Sequence, residues 1–512
     1  MREKKHIKGY VRILLTALMC AALIFAFGTS ALADNTDIRS SLSAEEAYGH
    51  VYSDDAAAVL EEAPLTDSER ALIRMVSTAI WNGETQITFN GSDYGVTFDR
   101  LSAVARRLYL EPETFAMANV YFGSSGGKLY FAPVYNADIY SDYDTAKALY
   151  LNTVAEIAAL VDDSWSDLEK VLFVHDHLAL NYDYDTTYTN YDAYSFFRDK
   201  RGVCQAYMRA FNAIMAELGV ESSYVESESL DHVWNIVKIN GKWYHMDVTW
   251  DDPLSTSVTN VDHMYFIIST DKMYALDHVE SYDWQYGLNV TCSDTAYDNC
   301  FWSSDAEPRV ASSFLNDNGK WYFVTDSGIG VWDGHSSGPS VLASFSDIYA
   351  ELYPQYSFGV YLGTSGLSCL NDKLYLNTAF DALEYDLTTK QAKSLASVIG
   401  GSTNICASYL DGAYIVYQTT DNMFYRVPLD VYTNVEDGGY GYYTDNGKLN
   451  LKVGSKAFVI AVWYDAAGKM IGCRIINTAG EYSLDVSASY VKLISLDIAN
   501  APLCETVKLY VQ

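Results

Sequence analysis

Apolar positions follow two rhythms along this chain, and the change between them divides it. In the first part they recur at helical spacing. Asp144–Leu160 has that period, and a second helix opens at Ser166, where Ser166 and Glu169 stand three apart as a capping box ahead of LEKVLFVHDHLALN. A third, CQAYMRAFNAIMAELG, sets Tyr207, Phe211, Ile214 and Leu218 on one face and stops at Gly219. Upstream, helix-like stretches between Thr66 and Arg107 flank two short strand-like ones, Ile87–Phe89 and Gly95–Phe98. Val120–Phe122 and Lys128–Val134 read as a hairpin across Ser124-Ser125-Gly126-Gly127. After Gly219 the period falls to two, and strands are expected almost to the end.

Within residues 290–430 the strand pattern repeats weakly. NGKWYFV at 318–324, NDKLYLN at 371–377 and LDGAYIV at 410–416 each combine a turn with an aromatic strand. Three such units are too few to close a propeller, so residues 291–430 are expected to be propeller-like or, more simply, an open meander. From residue 431 the segments KAFVIAVWYD, YVKLISLDI and ETVKLYVQ alternate strongly, which suits a small β-sandwich over 431–512.

Charge and the N-terminal segment narrow the setting. The 512 residues hold 34 Lys and Arg against 66 Asp and Glu, a formal charge of -32. A chain this acidic lacks the basic patches that nucleic acid or an anionic membrane surface requires. Arg2, Lys4, Lys5, Lys8 and Arg12 precede the apolar run Ile13–Phe27, and Ala31-Leu32-Ala33 follows it. That is the pattern of a signal peptide over 1–33, and the run is shorter than the ~20 residues of a membrane-spanning helix. Residues 34–64 follow as an acidic lead-in. A secreted or cell-surface protein is expected, with no integral membrane association.

Secretion gives weight to the cysteines. Seven remain beyond Cys20, an odd number, so at least one thiol should be unpaired. Cys292/Cys300 and Cys473/Cys504 are the first pairs to consider, with free buried thiols as the alternative.

Candidate chemistry concentrates between Gly202 and Asp247. Cys204 opens a helix, and the unpaired N–H groups of a helix start favour thiolate. Asp231-His232 begins the strand HVWNIVKI, which ends at Asn240-Gly241, the dipeptide of a two-residue type I′ turn. With Ile239 opposite Lys242, His232 faces Thr249 and Trp234 faces Asp247. His232 and Asp247 then share a face as diagonal neighbours about 7–8 Å apart along the backbone, within reach of a hydrogen bond. The carboxylate would orient the ring and leave its other nitrogen for a thiol. His175 and His177, two apart on a helix, cannot share a face. His245 lies on the strand face of Asp247 and competes weakly as a base, and Asp251 and Asp252, as adjacent strand residues, would point opposite ways.

These segments, GVCQAYMRAF and LDHVWNIVKINGKWYHMDVTWDDP, with EKVLFVHDHLALNYDYD upstream, resemble the transglutaminase-like superfamily over roughly residues 65–290. The resemblance implies an α+β fold with a papain-like core at 65–290. It also implies a Cys204 nucleophile, a His232 base and Asp247 as its orienter. Two departures stand out: Ala206 replaces a glycine common in relatives, and no Gln precedes Cys204 where papain-type enzymes keep an oxyanion donor. The backbone N–H of Cys204 is one donor to expect; Gln205 and Tyr207 are candidates for the second, and Trp250 for a wall of the substrate channel. The last segment resembles β-sandwich modules that end extracellular clostridial-type proteins.

A thiol acyl-transfer enzyme follows as the leading expectation. It would act on amide or peptide bonds of a peptide, a protein or cell-wall peptide, as a protease, amidase or transglutaminase. No cofactor and no metal are expected. The alternative is a catalytically inert surface scaffold whose β-rich half binds a glycan or a protein.

Overall fold

The computed structural model describes residues 65–510 with short interruptions, the longest at 286–291, 356–363, 430–439 and 498–506. The expected signal peptide and acidic lead-in, with Cys20 and Cys504, lie outside the described residues. Two compact units emerge. One takes the chain as far as Asp252 and then His263–Asn299; the other takes Pro253–Asp262 and everything from Cys300 onward.

In the first unit, local signals set most boundaries. Thr66 and Glu69 cap α1 (Asp67–Trp81) reciprocally, and Ser166 and Glu169 do the same for α4 (Asp167–Asn181). Between them lie β1 (Ile87–Phe89), α2 (Leu101–Leu108), β2 (Met117–Ser125), β3 (Lys128–Tyr135) and α3 (Tyr143–Ala158). The first three-stranded sheet has the order β1-β3-β2. Its hairpin turns on Gly126 and Gly127, both at positive φ. Gly95–Phe98 forms no strand: Gly95 takes a positive φ and Phe98 opens a 3-10 turn, so the chain bends where alternation suggested extension.

Then come β4 (Asp183–Tyr184), α5 (Ala193–Asp199), β5 (Arg201–Gly202) and α6 (Cys204–Glu217). Helix α6 is buried nearly all round, with Ala206, Tyr207, Met208, Ala210, Phe211, Ile214 and Met215 each at 2% exposure or less. One apolar face was the sequence expectation; a helix clothed on every side needs its polar residues satisfied inside. They are. Arg209 donates to the carbonyls of Thr114 and Met117, and Asn212 accepts from Asn235 Nδ2 at 3.0 Å. The strands β6 (Ser222–Ser227), β7 (His232–Ile239), β8 (Lys242–Met246) and β9 (Asp283–Gln285) form an antiparallel sheet in the order β8-β7-β6-β9. Two short helices, α7 (Val248–Asp251) and α8 (Thr270–Ala275), follow β8.

Among the described residues, the second unit is antiparallel sheet apart from one helix, Phe345–Leu352. Three meanders among the described residues follow one another, at Leu315–Ser344, Leu367–Ser397 and Ile405–Pro428, and each repeated sequence segment contributes to the second strand of its meander. Asn318 and Gly319, and likewise Asn371 and Asp372, take the positive φ that tight hairpins demand. Beyond them, sheets of three and four strands share a core in which Leu449, Leu451 and Val453 meet Val459, Val491 and Leu493. That is a two-sheet sandwich, as the alternation implied. The molecule is α+β, with helices confined almost entirely to the first unit.

None of the six described cysteines is in a disulfide. The anticipated Cys292/Cys300 bridge does not form. Cys292 is instead a small apolar group in the core beside Val225, Trp234 and Ile236.

Candidate active site

Backbone contacts allowed by one glycine bring Cys204 to its place. β5 runs parallel to β4, with Gly202 beside Tyr184. A Cβ on Gly202 would lie 2.5 Å from Cβ of Ala206 and 2.7 Å from Phe196, so only glycine lets the strand descend onto the first turn of α6. Ala206 completes that close approach. Val203 is the N-cap and gives no side-chain cap, leaving the first-turn N–H groups around Cys204 without a side-chain acceptor. The Cys204 side chain is partly exposed.

The β7–β8 hairpin has the expected turn and register. Asn240 and Gly241 lie at φ 51° and 78°, and the pairs run from Ile239 with Lys242 to Asn235 with Met246. There the ladder stops. Trp234 does not pair with Asp247, nor His232 with Thr249, because β8 ends at Met246 and Asp247 becomes the N-cap of α7. The cap serves the same end by another route. Asp247 Oδ1 accepts from the Trp250 N–H at 3.2 Å, which fixes the carboxylate and turns Oδ2 to His232 Nε2 at 2.6 Å. The backbone N–H of Asp247 donates to the Tyr265 carbonyl at 3.1 Å.

Cys204 lies near enough to the His232 ring to favour its charged form. Burial works against a charged ring here, but Asp247 and Cys204 outweigh it and the His232 pKa is pushed up to about 10. Burial likewise opposes the Asp247 anion, yet His232 and His278 hold its carboxyl far below the usual range. Thiol, imidazole and carboxylate are thus brought together from α6, the start of β7 and the cap of α7. Trp250 joins them: its ring centroid is 5.7 Å from that of His232. The side chains of Gln205 and Tyr207 are engaged elsewhere. Both amide hydrogens of Gln205 go to the carbonyls of Ala118 and Tyr191, and the Tyr207 hydroxyl is spent on Asp252 and the Tyr182 carbonyl.

Other histidines take structural parts. His245 Nδ1 accepts from the Trp234 indole at 3.0 Å, and its Nε2 pairs with Thr270 Oγ1 at 2.9 Å. Burial, helped by His278, pushes its pKa down to about 3, so it buttresses the sheet as a neutral ring. His175 and His177 part company as expected: His177 stacks on Phe173, whereas His175 is fully buried. His175 Nδ1 meets Asp176 at 2.8 Å and its Nε2 meets Asp251 at 3.2 Å, while His263 Nε2 meets Asp176 at 2.8 Å. Asp251 also accepts from the Tyr265 N–H at 3.0 Å. Asp251 and Asp252 lie on and just after a helix, not a strand, and each is committed to a partner. The buried ion network therefore braces the short helix that carries Asp247 at its head.

Two clusters, His175/Asp176/His263 and His232/Asp247/His278, have ligand atoms close enough to hold a metal ion. In the first, the imidazoles already share Asp176 Oδ1 as a hydrogen-bonded set, the arrangement of an ion network. His278, His263 and Asp176 were not picked out by spacing. The signal that could have found them is clustering: six of the nine histidines fall between 175 and 278, four of them in Asp-His dipeptides at 176–177, 231–232, 262–263 and 277–278.

Among the described residues, no helix is long and apolar enough to cross a membrane. No curated protein matches the chain. Among solved structures, one of a TGase shares 15% identity over 27% of this chain and 46% of its own, at TM-score 0.19. Another, described as a cysteine protease from Cytophaga hutchinsonii, shares 15% over 26% of this chain and 61% of its own, at 0.18. The extracellular domain of a one component system, BT4673 from B. thetaiotaomicron, shares 10% over 55% of this chain and 42% of its own, at 0.19. The chain thus spans about half of the first and about six-tenths of the second, and at such TM-scores the likeness is local. Residues 155–248, which contain Cys204, His232 and Asp247, match the family model of the transglutaminase-like superfamily, whose members are generally cysteine-based acyl-transfer enzymes or proteases. The chain carries a core of the transglutaminase-like superfamily.

Proposed function

We propose that the protein is a secreted thiol acyl-transfer enzyme acting on amide or peptide bonds, with Cys204 as nucleophile, His232 as acid–base and Asp247 as its orienter. The observation that carries this reading is the 2.6 Å contact of Asp247 Oδ2 with His232 Nε2, on a ring whose charge is also favoured by Cys204 at the head of a helix. The Cys204 thiolate attacks the substrate carbonyl carbon, forming a C–S bond and a tetrahedral oxyanion. First-turn N–H groups of α6 face the developing charge. The oxyanion collapses as the C–N bond breaks, and His232 passes its proton to the leaving amine. A thioester remains. His232, now neutral, takes a proton from water or from an incoming amine, which attacks the thioester and returns the thiolate–imidazolium pair. Water completes a protease or amidase cycle, and an amine completes a transglutaminase cycle. With the chain as acidic as it is, a strongly anionic substrate is disfavoured.

Mass spectrometry of the intact chain tests this. After exposure to peptide, glutamine-containing and cell-wall peptide mixtures, the native protein should gain an acyl mass that Cys204→Ala does not. Equal labelling of the two would refute the assignment.

A further inference from the structure

Asp247 faces two imidazoles, and acyl transfer uses only one of them. We propose that His278 is a positioning residue for the Cys204–His232–Asp247 reaction, a second imidazole that fixes the Asp247 carboxylate; the inference rests on the acyl-transfer reading above. His278 Nε2 lies 3.1 Å from Asp247 Oδ2, the same oxygen that His232 approaches at 2.6 Å. Its N–H is angled off the line to that oxygen, so the contact has hydrogen-bond length without hydrogen-bond geometry, and neither ring nitrogen has a well-formed partner. Such contacts tighten when a catalytic site is loaded.

The surroundings argue against a packing role. His278 is wholly buried, with ring centroids of Trp250, Trp234 and Tyr265 at 4.4, 4.6 and 4.8 Å. In an aromatic box like this, an apolar side chain would pack without the cost of two unpaired ring nitrogens. What an apolar side chain would lack is the N–H beside Asp247. The ring is held perpendicular to His232, at 89° with centroids 5.5 Å apart, so it cannot stack in and displace it. Burial, reinforced by the charge on His232, disfavours protonating His278. It therefore offers a dipole without neutralising the carboxylate, and the full charge of Asp247 remains available to the His232 imidazolium. With Oδ1 on the Trp250 N–H and Oδ2 between two imidazoles, the carboxylate cannot rotate. His232 then keeps one nitrogen on Asp247 and the other free for Cys204. Being fully buried, His278 has no route to the substrate.

The test uses the full chain and the acylation of Cys204 by 4-nitrophenyl acetate at pH 6, with Cys204→Ala subtracted. His278→Phe keeps a ring in the box and removes the donor; His278→Gln keeps an N–H at a similar reach. Losing a donor to a charged group should slow acylation about tenfold or more in His278→Phe, and His278→Gln should recover most of it. Thermal melting of His278→Phe should stay at or above the native value, which a merely structural role would not allow. His278→Leu repeats the comparison should the larger ring not be accommodated. Native rates in folded His278→Phe, or equal losses in the Phe and Gln variants, would overturn the inference alone. Native protein no faster than Cys204→Ala would overturn the acyl-transfer reading and the inference with it.

Discussion

Asp247→Asn isolates the electrostatic half of the proposed triad. The substitution keeps the shape of the side chain and an oxygen for the Trp250 N–H but removes the charge facing His232. With charge centres about 4 Å apart and an effective dielectric of about 20, the carboxylate favours the imidazolium by about 4 kcal/mol, or about three powers of ten in rate. Acylation of Cys204 by 4-nitrophenyl acetate at pH 6 should therefore fall about a thousandfold. The sign with pH follows from the same pair. The His232 pKa is raised to about 10 in the fold, so its stabilisation is complete below about 6.5 and is lost as pH climbs through 10. That of Asp247 is lowered, so its stabilisation is present above about 4 and is lost on acidification. The melting-temperature gap between native protein and Asp247→Asn should be widest between about pH 4 and 6.5. A folded variant that keeps acylation within about threefold of native would refute the reasoning.

Three further outcomes follow from the geometry. His245 is buried neutral with its pKa down at about 3, whereas an unfolded histidine takes a proton below about 6.5. Stability should thus drain as pH falls from 6.5 to 3, and the urea midpoint of His245→Gln should depend less on pH across that range. Gly202→Ala forces a Cβ to within 2.5 Å of Ala206; overpacking of about 1–3 kcal/mol should lower the melting temperature and, by shifting α6, slow Cys204 acylation as well. Asp176→Asn leaves His175 and His263 without their shared carboxylate, and breaking such a buried pair costs about 3–5 kcal/mol by chemical denaturation. His175 is held up to about 9, against burial, by Asp176 and Asp251, so this loss should shrink as pH rises through 9.

Much of the site was legible in the chain because its signals are local. Asn240-Gly241 dictates a turn, and the turn dictates a register that holds as far as Asn235 with Met246, one residue before Asp247. What sequence spacing could not foresee was that β8 would end one residue short and hand Asp247 to a helix cap, since a cap depends on backbone bonds to Tyr265, far along the chain. His278 and the His175–Asp176–Asp251–His263 network were hidden for the same reason: apart from the adjacent His175 and Asp176, the network's partners lie 14 to 87 residues apart in sequence. The side chains of the oxyanion candidates are engaged elsewhere. Gln205 and Tyr207 sit in the first turn of α6, but segments packed over that turn take their side-chain donors for carbonyls and a carboxylate. The helices, hairpins and second-unit sheets, set by capping pairs, turn residues and alternation, needed no such long-range information.

The central claim is that Cys204 works as a thiolate paired with His232. The most direct measurement is the order in which the cysteines of the folded chain react with iodoacetamide at pH 6, followed by peptide mass spectrometry. Cys473 is the more exposed thiol, so accessibility alone would modify it first. Cys204 should be alkylated first in spite of its partial burial; Cys473 reacting ahead of an unmodified Cys204 would contradict a Cys204 thiolate.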